Sequence, residues 1–298
     1  VFTYCKNRGE DKCPPWILQS NKIEHDIAEK TIYYKNAVLK VYDFPIFYFP
    51  VFSHPDPTVK RRSGVLMPSL SDSKNLGAGI SLPYYWAVAK DKDITFTPRL
   101  YASENPLLLT EYRQAFKNSY LLVDMGHTPG YKETTGNKST GSKSHFFSRF
   151  TKNLVNEKNK NSSFEINLQK VTNDTYLKVY DIDSILADKD VNVLENYFNY
   201  EYQNEDLFFG ANFSAFDNLT IQDRSKYEYL IPYLTFEKNI STDENYGILD
   251  FSSNLRVRNY DVNKQTEFFV NDINWKSNKW VTANGLTNQF EGKLKTVN

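Results

Sequence analysis

The chain has few cysteines and histidines, no long apolar run and no excess of positive charge. These are the features that mark a metal site, a helical membrane protein and a nucleic-acid-binding protein, respectively. Among 298 residues there are two cysteines and four histidines, and no run of 18 consecutive apolar residues occurs. Transmembrane helices are therefore excluded. Lys plus Arg and Asp plus Glu each number 36, so the net charge is zero and no global field attracts nucleic acid.

Motifs for catalysis or ligand binding are also scarce. The four histidines show no metal-ligand spacing, which favours ordinary surface or turn positions; they are His25, His54, His127 and His145. Residues 136–144 read GNKSTGSKS, which is close to a phosphate-binding loop. However, Ser142 separates the second glycine from Lys143, and the pattern predicts neither a buried strand before it nor a helix after it. We expect a solvated loop there and, without a nucleophile elbow or a distinct carboxylate pair, no enzyme and no cofactor.

Proline is concentrated near the start. Eight of the twelve prolines precede residue 84, and six fall between residues 45 and 86: Pro45, Pro50, Pro55, Pro57, Pro68 and Pro83. Proline cannot donate a ladder hydrogen bond, so in sheets it is confined to edges, strand starts and bulges. Pro68 and Pro83 lie in apolar runs that are expected to pair as a hairpin. Two such prolines predict a weak seam, typical of a sheet that must open.

The fall in proline content predicts a domain boundary near residues 60–64, with domains at 1–60 and 61–298. The run Lys60-Arg61-Arg62 lies at this boundary and reads either as a solvated linker or as a phosphate contact. Before it, short strands at 16–23, 31–34, 37–41 and 46–49 suit a sandwich or jelly roll.

After the boundary the pattern predicts antiparallel strands of about ten residues, so the fold class is all-β. Phe164, Ile166 and Leu168 point to one face, while the intervening residues are polar. This alternation is typical of a membrane β-barrel, and a soluble repetitive β-protein is the alternative. The predicted strands are 65–70, 79–88, 94–102, 107–116, 120–128, 144–154, 163–171, 176–182, 194–202, 207–216, 226–236, 248–259, 265–274 and 280–294.

Loop lengths give a partial check on this interpretation. The polar segment 129–143 is expected to be a long outer loop of a barrel. By the same strand count the long connection 183–193 falls on the inner side, where short turns are expected. This indicates that the number of predicted strands before it is wrong by one.

Cys5 and Cys13 would be oxidised in a protein beyond the inner membrane. They can pair with each other across seven residues or with cysteines elsewhere, and a metal knuckle is disfavoured because only two thiolates are present. Val1 is not a start methionine, no signal peptide precedes it and the strand pattern stops at Asn298. We therefore expect an internal fragment of a longer protein, an incomplete barrel.

Three stretches carry motifs: residues 45–51 read PIFYFPV, residues 61–68 read RRSGVLMP, and residues 82–99 read LPYYWAVAKDKDITFTPR. Together they resemble the LPS-assembly protein LptD family, also called OstA or Imp. The segment Thr3-Tyr4-Cys5 with Trp16 is similar to the family's cysteine-bearing region. Val65, Ala87 and Lys90 depart from the usual Phe, Asn and Pro. The specific resemblance covers about residues 1–130.

This resemblance implies the end of a periplasmic β-jelly roll followed by the first part of a barrel in the cell outer membrane. It implies lipopolysaccharide as cargo, the lipoprotein LptE as a plug and the periplasmic bridge protein LptA as a partner. Acyl chains would cross the jelly-roll interior and leave through a lateral gate at Pro68 and Pro83. The expected lipid-path residues are Ile23, Ile32, Val38, Val41, Ile46 and Phe47. By the same resemblance, Cys5 would bond to a distant cysteine and Cys13 either likewise or to Cys5.

Two other classes share parts of the pattern. A generic outer-membrane porin would have the strands but not the proline-rich junction to a preceding sandwich. A surface adhesin or a secreted β-enzyme would also be rich in Tyr and Asn, but it should show a soluble core or an acid pair. Membrane partitioning and heat-modifiable migration distinguish the barrel interpretations from the soluble ones.

Overall fold

The computed structural model describes residues 16–41, 44–56, 58–59, 61–136, 138–243 and 245–298. The chain divides into two compact units, Val1–Ser63 and Gly64–Asn298. Nearly all regular structure in the described residues is strand, which confirms the predicted all-β class. Within those residues, no helix combines the length and apolar character needed to cross a membrane.

The first unit contains one antiparallel sheet of four strands. The central strand pairs with two short strands along one edge and with a long proline-containing strand along the other. The strands are β1 (Trp16–Gln19), β2 (Lys22–Asp26), β3 (Thr31–Val41) and β4 (Phe44–Pro55). Segments 31–34 and 37–41, predicted as separate strands, are one strand that continues through Asn36, whose φ is 51°. The pairing of β3 with β4 keeps its register on both sides of this residue.

The second unit is built on one large antiparallel sheet in which successive strands are neighbours. Its strands are β5 (Gly64–Val65), β6 (Ser69–Ser73), β7 (Gly77–Ser81), β8 (Tyr84–Ala89), β9 (Lys92–Tyr101), β10 (Leu107–Ala115), β11 (Ser119–Thr135), β12 (Lys138–Glu157), β13 (Lys160–Val171), β14 (Val193–Asn204), β15 (Leu207–Asn218), β16 (Tyr227–Asp243), β17 (Gly247–Tyr260), β18 (Lys264–Lys276) and β21 (Glu291–Val297). A helix, α1 (Tyr176–Val179), a 3-10 turn (Arg224–Lys226) and a small hairpin, β19 (Trp280–Val281) with β20 (Thr287–Asn288), lie in the connections.

The predicted alternation is present in this sheet. Ile166 lies opposite Phe198, which lies opposite Phe213, so apolar side chains from neighbouring strands share one face. Phe198 and Phe213 are each 38% exposed and Leu168 is 46% exposed, although all are large and apolar. The opposite face carries polar side chains. The sheet therefore has an exposed apolar face, which we call the apolar face, and a polar face.

The connections differ between the two ends of this sheet. At one end, here called the turn end, five connections have two or three residues and the sixth, residues 277–290, has fourteen. The other end, here called the insert end, carries the 21-residue connection 172–192 between β13 and β14. Because β11 and β12 meet at the insert end as well, the two long segments noted in the sequence lie at the same end of the sheet.

Local predictions are wrong at three further places, all in the second unit. Segment 176–182, predicted as a strand, contains α1, which removes one strand from the count and places 183–193 at the insert end. Segment 129–143, predicted as a loop, is mostly the paired ends of β11 and β12, where polar side chains occupy strand positions. Segment 280–294 is interrupted by a turn at Gly285, whose φ is +80°.

Candidate functional site

The first two strands of the large sheet are both interrupted at the same level. Strand pairing stops at the pair Val65 and Tyr84 and resumes at Ser69 and Ser81. Residues 66–68 in the first strand therefore lie opposite residues 82–83 in the second, and we call these five residues the proline break. Pro68 and Pro83, predicted from sequence as neighbours in a weak seam, are both within it.

Hydrogen bonding across the proline break is one-sided. Leu66 N donates to Pro83 O at 2.8 Å, and Leu82 N donates to Pro98 O on β9 at 3.0 Å. A hydrogen-bonded antiparallel pair normally exchanges two such bonds. Pro83 and Pro98 have no N–H to donate in return. The Leu66–Pro83 pair and the Leu82–Pro98 pair therefore each keep one hydrogen bond where a regular ladder has two.

Pro98 was not assigned a role from the sequence, although it lies in one of the motifs. Its partner across the next ladder is Leu108 on β10. Its position beside the break depends on strand register, which single-strand patterns do not specify. The sequence does contain one indication that these residues are neighbours. Pro68, Pro83 and Pro98 are spaced at intervals of fifteen residues, about the length of one strand and its turn.

The edge strand at the break exposes apolar side chains. Val65, Met67 and Leu70 are 70%, 80% and 84% exposed, and Leu66 is also exposed. The strand pairs on one side only within the described residues. An exposed apolar edge with incomplete hydrogen bonding is an uncommon surface, since natural sheets usually protect such edges with charge or coverage.

Beyond the break, the β6–β7 hairpin is fixed at its tip. Leu76 at the turn is 3% exposed and belongs to the main apolar cluster of the unit. Lys138 Nζ donates to Asn75 O at 2.8 Å and forms an ion pair with Glu104 at 2.9 Å. The hairpin is thus held at the insert end, while the break lies between this anchorage and the turn end.

The connection 172–192, here called the insert, folds back onto the sheet. Tyr176, Leu177 and Tyr180 are almost fully buried. Arg99 Nη1 on β9 donates to Tyr180 O at 2.8 Å and to Asp181 O at 2.9 Å. The cluster that the insert forms with the sheet consists of Leu76, Leu107, Leu122, Tyr131, Phe147, Val171, Tyr176, Leu177, Tyr180, Ile182, Leu186, Ala187, Leu194 and Leu219.

Burial of the insert changes the acidity of its phenols. Desolvation raises the pKa of Tyr180 to about 12, and it raises the pKa of Tyr176 further still. Both phenols are therefore neutral at physiological pH, as a docked insert requires.

Beneath the insert, His145 is enclosed between Asp124 and aromatic rings. Its Nε2 lies 3.1 Å from Asp124 Oδ1, and its ring centroid is 4.7 Å from that of Phe147 and 5.6 Å from that of Tyr176. Gly126 on β11 allows this packing because a Cβ there would come within 2.5 Å of the imidazole. This histidine is a packed member of the insert interface.

Further along the strands, the polar face forms an open groove of about 590 Å³. Tyr197 donates a hydrogen bond to Glu165, and Arg149 lies 3.7 Å from the same carboxylate. Glu195 and Glu201 also line the groove. It is an open, mainly acidic surface, and its lining residues include no arrangement of nucleophile and base.

In the first unit, apolar residues collect on one face of the sheet. Three predicted lipid-path residues lie there: Ile32 packs against the cluster, Ile23 is opposite Tyr34, and Phe47 is opposite Leu39. The cluster contains Leu18, Tyr34 and Ala37, with Ile32, Leu39, Phe49 and Phe52 packed against it.

The other three predicted lipid-path residues are placed differently. Val41 is two residues from Leu39 and so shares its face. Val38 is adjacent to Leu39 and opposite Tyr48, which places it on the other face. Ile46 is exposed at a register shift of β4. The structure therefore groups four of the six residues on one apolar face.

The remaining sequence candidates are two cysteines, one lysine and the histidines of the first unit. Cys5, Cys13 and Lys60 lie outside the described residues. His25 contacts Asp56 at 2.7 Å and His54 contacts Tyr34 at 2.8 Å. Within the described residues, no group of three or more His, Cys, Asp or Glu is placed to hold a metal ion.

No family model matches the chain. Part of the chain is similar to curated proteins named LPS-assembly protein LptD. It is 39% identical over 111 residues to the protein of Shewanella sp. strain ANA-3, 38% over 112 residues to that of Pseudoalteromonas translucida, and 35% over 113 residues to that of Nitrosococcus oceani. The matches cover 36–38% of this chain and only 14–15% of each relative. The chain is therefore LptD-like over about a third of its length and spans a small part of the proteins it matches.

Proposed function

We propose that this LptD-like chain joins a periplasmic β-jelly roll, residues 1–60, to the first part of an outer-membrane β-barrel, residues 61–298. The complete protein would assemble lipopolysaccharide into the outer leaflet of the outer membrane. The named relatives support this assignment at the level of lipopolysaccharide assembly. The continuous apolar face supports a lipid-facing sheet, because contact with hydrocarbon makes such exposure favourable.

The observation that carries the proposed mechanism is the proline break. In a bilayer each backbone group must be satisfied internally, so ladder bonds missing at the same level of adjacent strands weaken the sheet where lipid offers no replacement. The first strand is then held less firmly by its neighbours and can separate from the last strand of the complete barrel. Pro68 and Pro83 lie in this lateral gate, and Pro98 extends the weakness to the third strand.

The apolar face of the first unit is the candidate path for acyl chains. Acyl chains require a path lined by apolar side chains, since burial against unpaired polar groups is unfavourable. Ile23, Ile32, Val41 and Phe47 share the face that carries the first unit's cluster. Val38 and Ile46 do not share it, and they are the weaker candidates of the original six.

Partners follow from the resemblance. LptE would plug the barrel against its polar face, where the acidic groove offers hydrogen-bonding side chains. LptA would deliver lipopolysaccharide to the jelly roll from the periplasmic side. Cys5, and Cys13 with it, would fix the jelly roll to the barrel through disulfides; dominant Cys5–Cys13 peptides in non-reducing maps of the complete protein would exclude the long-range pairing.

Controlled depletion of the complete protein tests the proposal. We expect newly made lipopolysaccharide to stop reaching the cell surface before general outer-membrane proteins are lost. The protein itself should require detergent and migrate differently when unheated. A species that partitions into the aqueous phase would exclude the barrel, whereas normal lipopolysaccharide export during depletion would leave a barrel of another function, such as a porin.

A further inference from the structure

One connection at the turn end differs from its neighbours. The five other connections at that end have two or three residues, but residues 277–290 form an ordered excursion with a hairpin of its own, β19–β20. Its base is closed at Ser277, whose N donates to Phe290 O at 2.9 Å and whose Oγ accepts from Phe290 N at 2.8 Å. Thr282 N donates to Leu286 O at 2.8 Å, which closes the tip. These hydrogen bonds close the loop at its base and at its tip.

Several side chains of this loop are large, apolar and exposed. Val281, Leu286 and Phe290 are 66%, 65% and 62% exposed. Trp280 is also exposed and contacts the Phe290 ring, with centroids 5.0 Å apart. A self-contained turn of polar residues would close the same strands, so this exposed apolar cluster indicates a surface that meets something apolar.

The cluster continues the apolar face of the sheet. Trp275 is two residues beyond Ile273, which lies opposite Leu294, so these side chains share the apolar face. Trp275 Nε1 donates to Tyr246 O at 2.8 Å, and Tyr246 is itself exposed at the same end. Trp and Tyr with a polar tip and an apolar body are suited to the boundary between hydrocarbon and headgroups.

The charge around the loop favours an anionic surface. Residues 276–295 contain four lysines and one carboxylate, Glu291, which pairs with Lys276 at 3.2 Å. The net charge of this segment is therefore +3, although the whole chain is neutral. Lys295 also pairs with Asp272 at 3.5 Å, so Lys279 and Lys293 are the lysines of this segment that the proposal uses. Lysines beside exposed aromatic residues are the composition of segments that lie on anionic lipid.

We propose that residues 277–290 form a foot that inserts Trp280 and Phe290 into the headgroup region of the bilayer leaflet at the turn end, with lysines contacting anionic phospholipid. This inference rests on the proposed barrel, since the loop meets a bilayer only if the apolar face does. The foot would fix the depth and tilt of the sheet in the bilayer. It would do so at the turn end, where the short connections offer little surface for contact with the headgroups.

Brominated lipids test this in the complete protein reconstituted in vesicles of phosphatidylethanolamine and phosphatidylglycerol. The contribution of each tryptophan is the difference in fluorescence between the parent and its Phe variant, Trp280→Phe or, as the control on the apolar face, Trp86→Phe. Interfacial side chains lie roughly 5–10 Å below the surface. We therefore expect Trp280 to be quenched more by bromines near the headgroup than by bromines near the chain ends, with a blue-shifted emission. Lys279→Gln with Lys293→Gln should reduce this quenching.

Each other outcome is decisive. If Trp280 is quenched by aqueous acrylamide and by no brominated lipid, the loop lies in water and the foot is wrong. If it is protected from both quenchers, a protein covers the loop and the foot is again wrong. In either case, quenching of Trp86 by bromines in the chains would leave the proposed barrel intact, and absence of that quenching would overturn the barrel as well.

Discussion

Restoring the missing donors at the proline break should slow lipopolysaccharide export. In Pro83→Val the new N–H faces Leu66 O, and in Pro98→Val it faces Leu82 O, because those pairs already make the reciprocal bond. Each restored bond contributes roughly 0.5–1.5 kcal/mol, and the bond to Leu66 O is the one that joins the first strand to its neighbour. If peeling of the first strand precedes export, the open population falls roughly 2- to 12-fold, since about 1.4 kcal/mol corresponds to tenfold.

The measurement is the time at which pulse-labelled lipopolysaccharide becomes accessible at the cell surface, with heat-modifiable migration as the check on barrel assembly. Pro106→Val is the matched control, because Pro106 lies in the connection between β9 and β10 and restores no ladder bond. We expect the parent and Pro106→Val to export lipopolysaccharide at the same rate, and both to export it faster than the double variant. A double variant that assembles normally and exports at the parental rate would refute the gate role of the break.

Three further outcomes are expected. A photo-crosslinker at Phe47 should capture lipopolysaccharide in the complete protein and one at Val38, on the opposite face, should not; equal capture would remove the assigned path. Leu76→Ala should destabilise the β6–β7 hairpin by about 2–5 kcal/mol, seen as faster amide exchange there, whereas Leu70→Ala at an exposed position should have little effect. Because burial raises the pKa of Tyr180 to about 12, the stability that its neutral phenol gives to the docked insert is fully present below pH 10 and is lost as the pH rises through 12. Protease cleavage of the insert should follow that rise, and Tyr180→Phe should move it to higher pH; identical profiles would show that this phenol does not control docking.

Strand positions were largely predictable because alternation is a strong signal where one face is apolar. In β13, Phe164, Ile166 and Leu168 alternate with polar residues, and the strand is present with bounds within three residues of those predicted. The same reasoning failed at 176–182, where Tyr176, Tyr180 and Ile182 fit an alternating pattern. Tyr176, Leu177 and Tyr180 also fit helical spacing, and the buried surface beneath the insert selects the helix.

Turns and register were less accessible from the sequence. Asn284-Gly285 is a turn signal within the predicted strand 280–294, and it was outweighed by the apolar residues on either side. Pro68 and Pro83 were recognised as neighbours, but the role of Pro98 depends on a pairing across three strands. Single-strand patterns specify which residues can form a ladder and leave open which ones meet.

The unequal lengths of the proline break restrict how the first strand can move. Three residues, 66–68, lie opposite two, 82–83, so the first strand carries one extra residue. The alternation of its side chains between the two faces is therefore shifted by one residue beyond the break. Val65, opposite Tyr84, and Leu70, opposite Ile80, consequently point to the same face although they are five residues apart. Sliding this strand by one residue would turn the side chains of both its segments to the opposite face and would move the extra residue away from Pro83. The strand therefore has no low-energy way to slip along its neighbour, and any opening of this edge must be a sideways peeling with the pairing order unchanged.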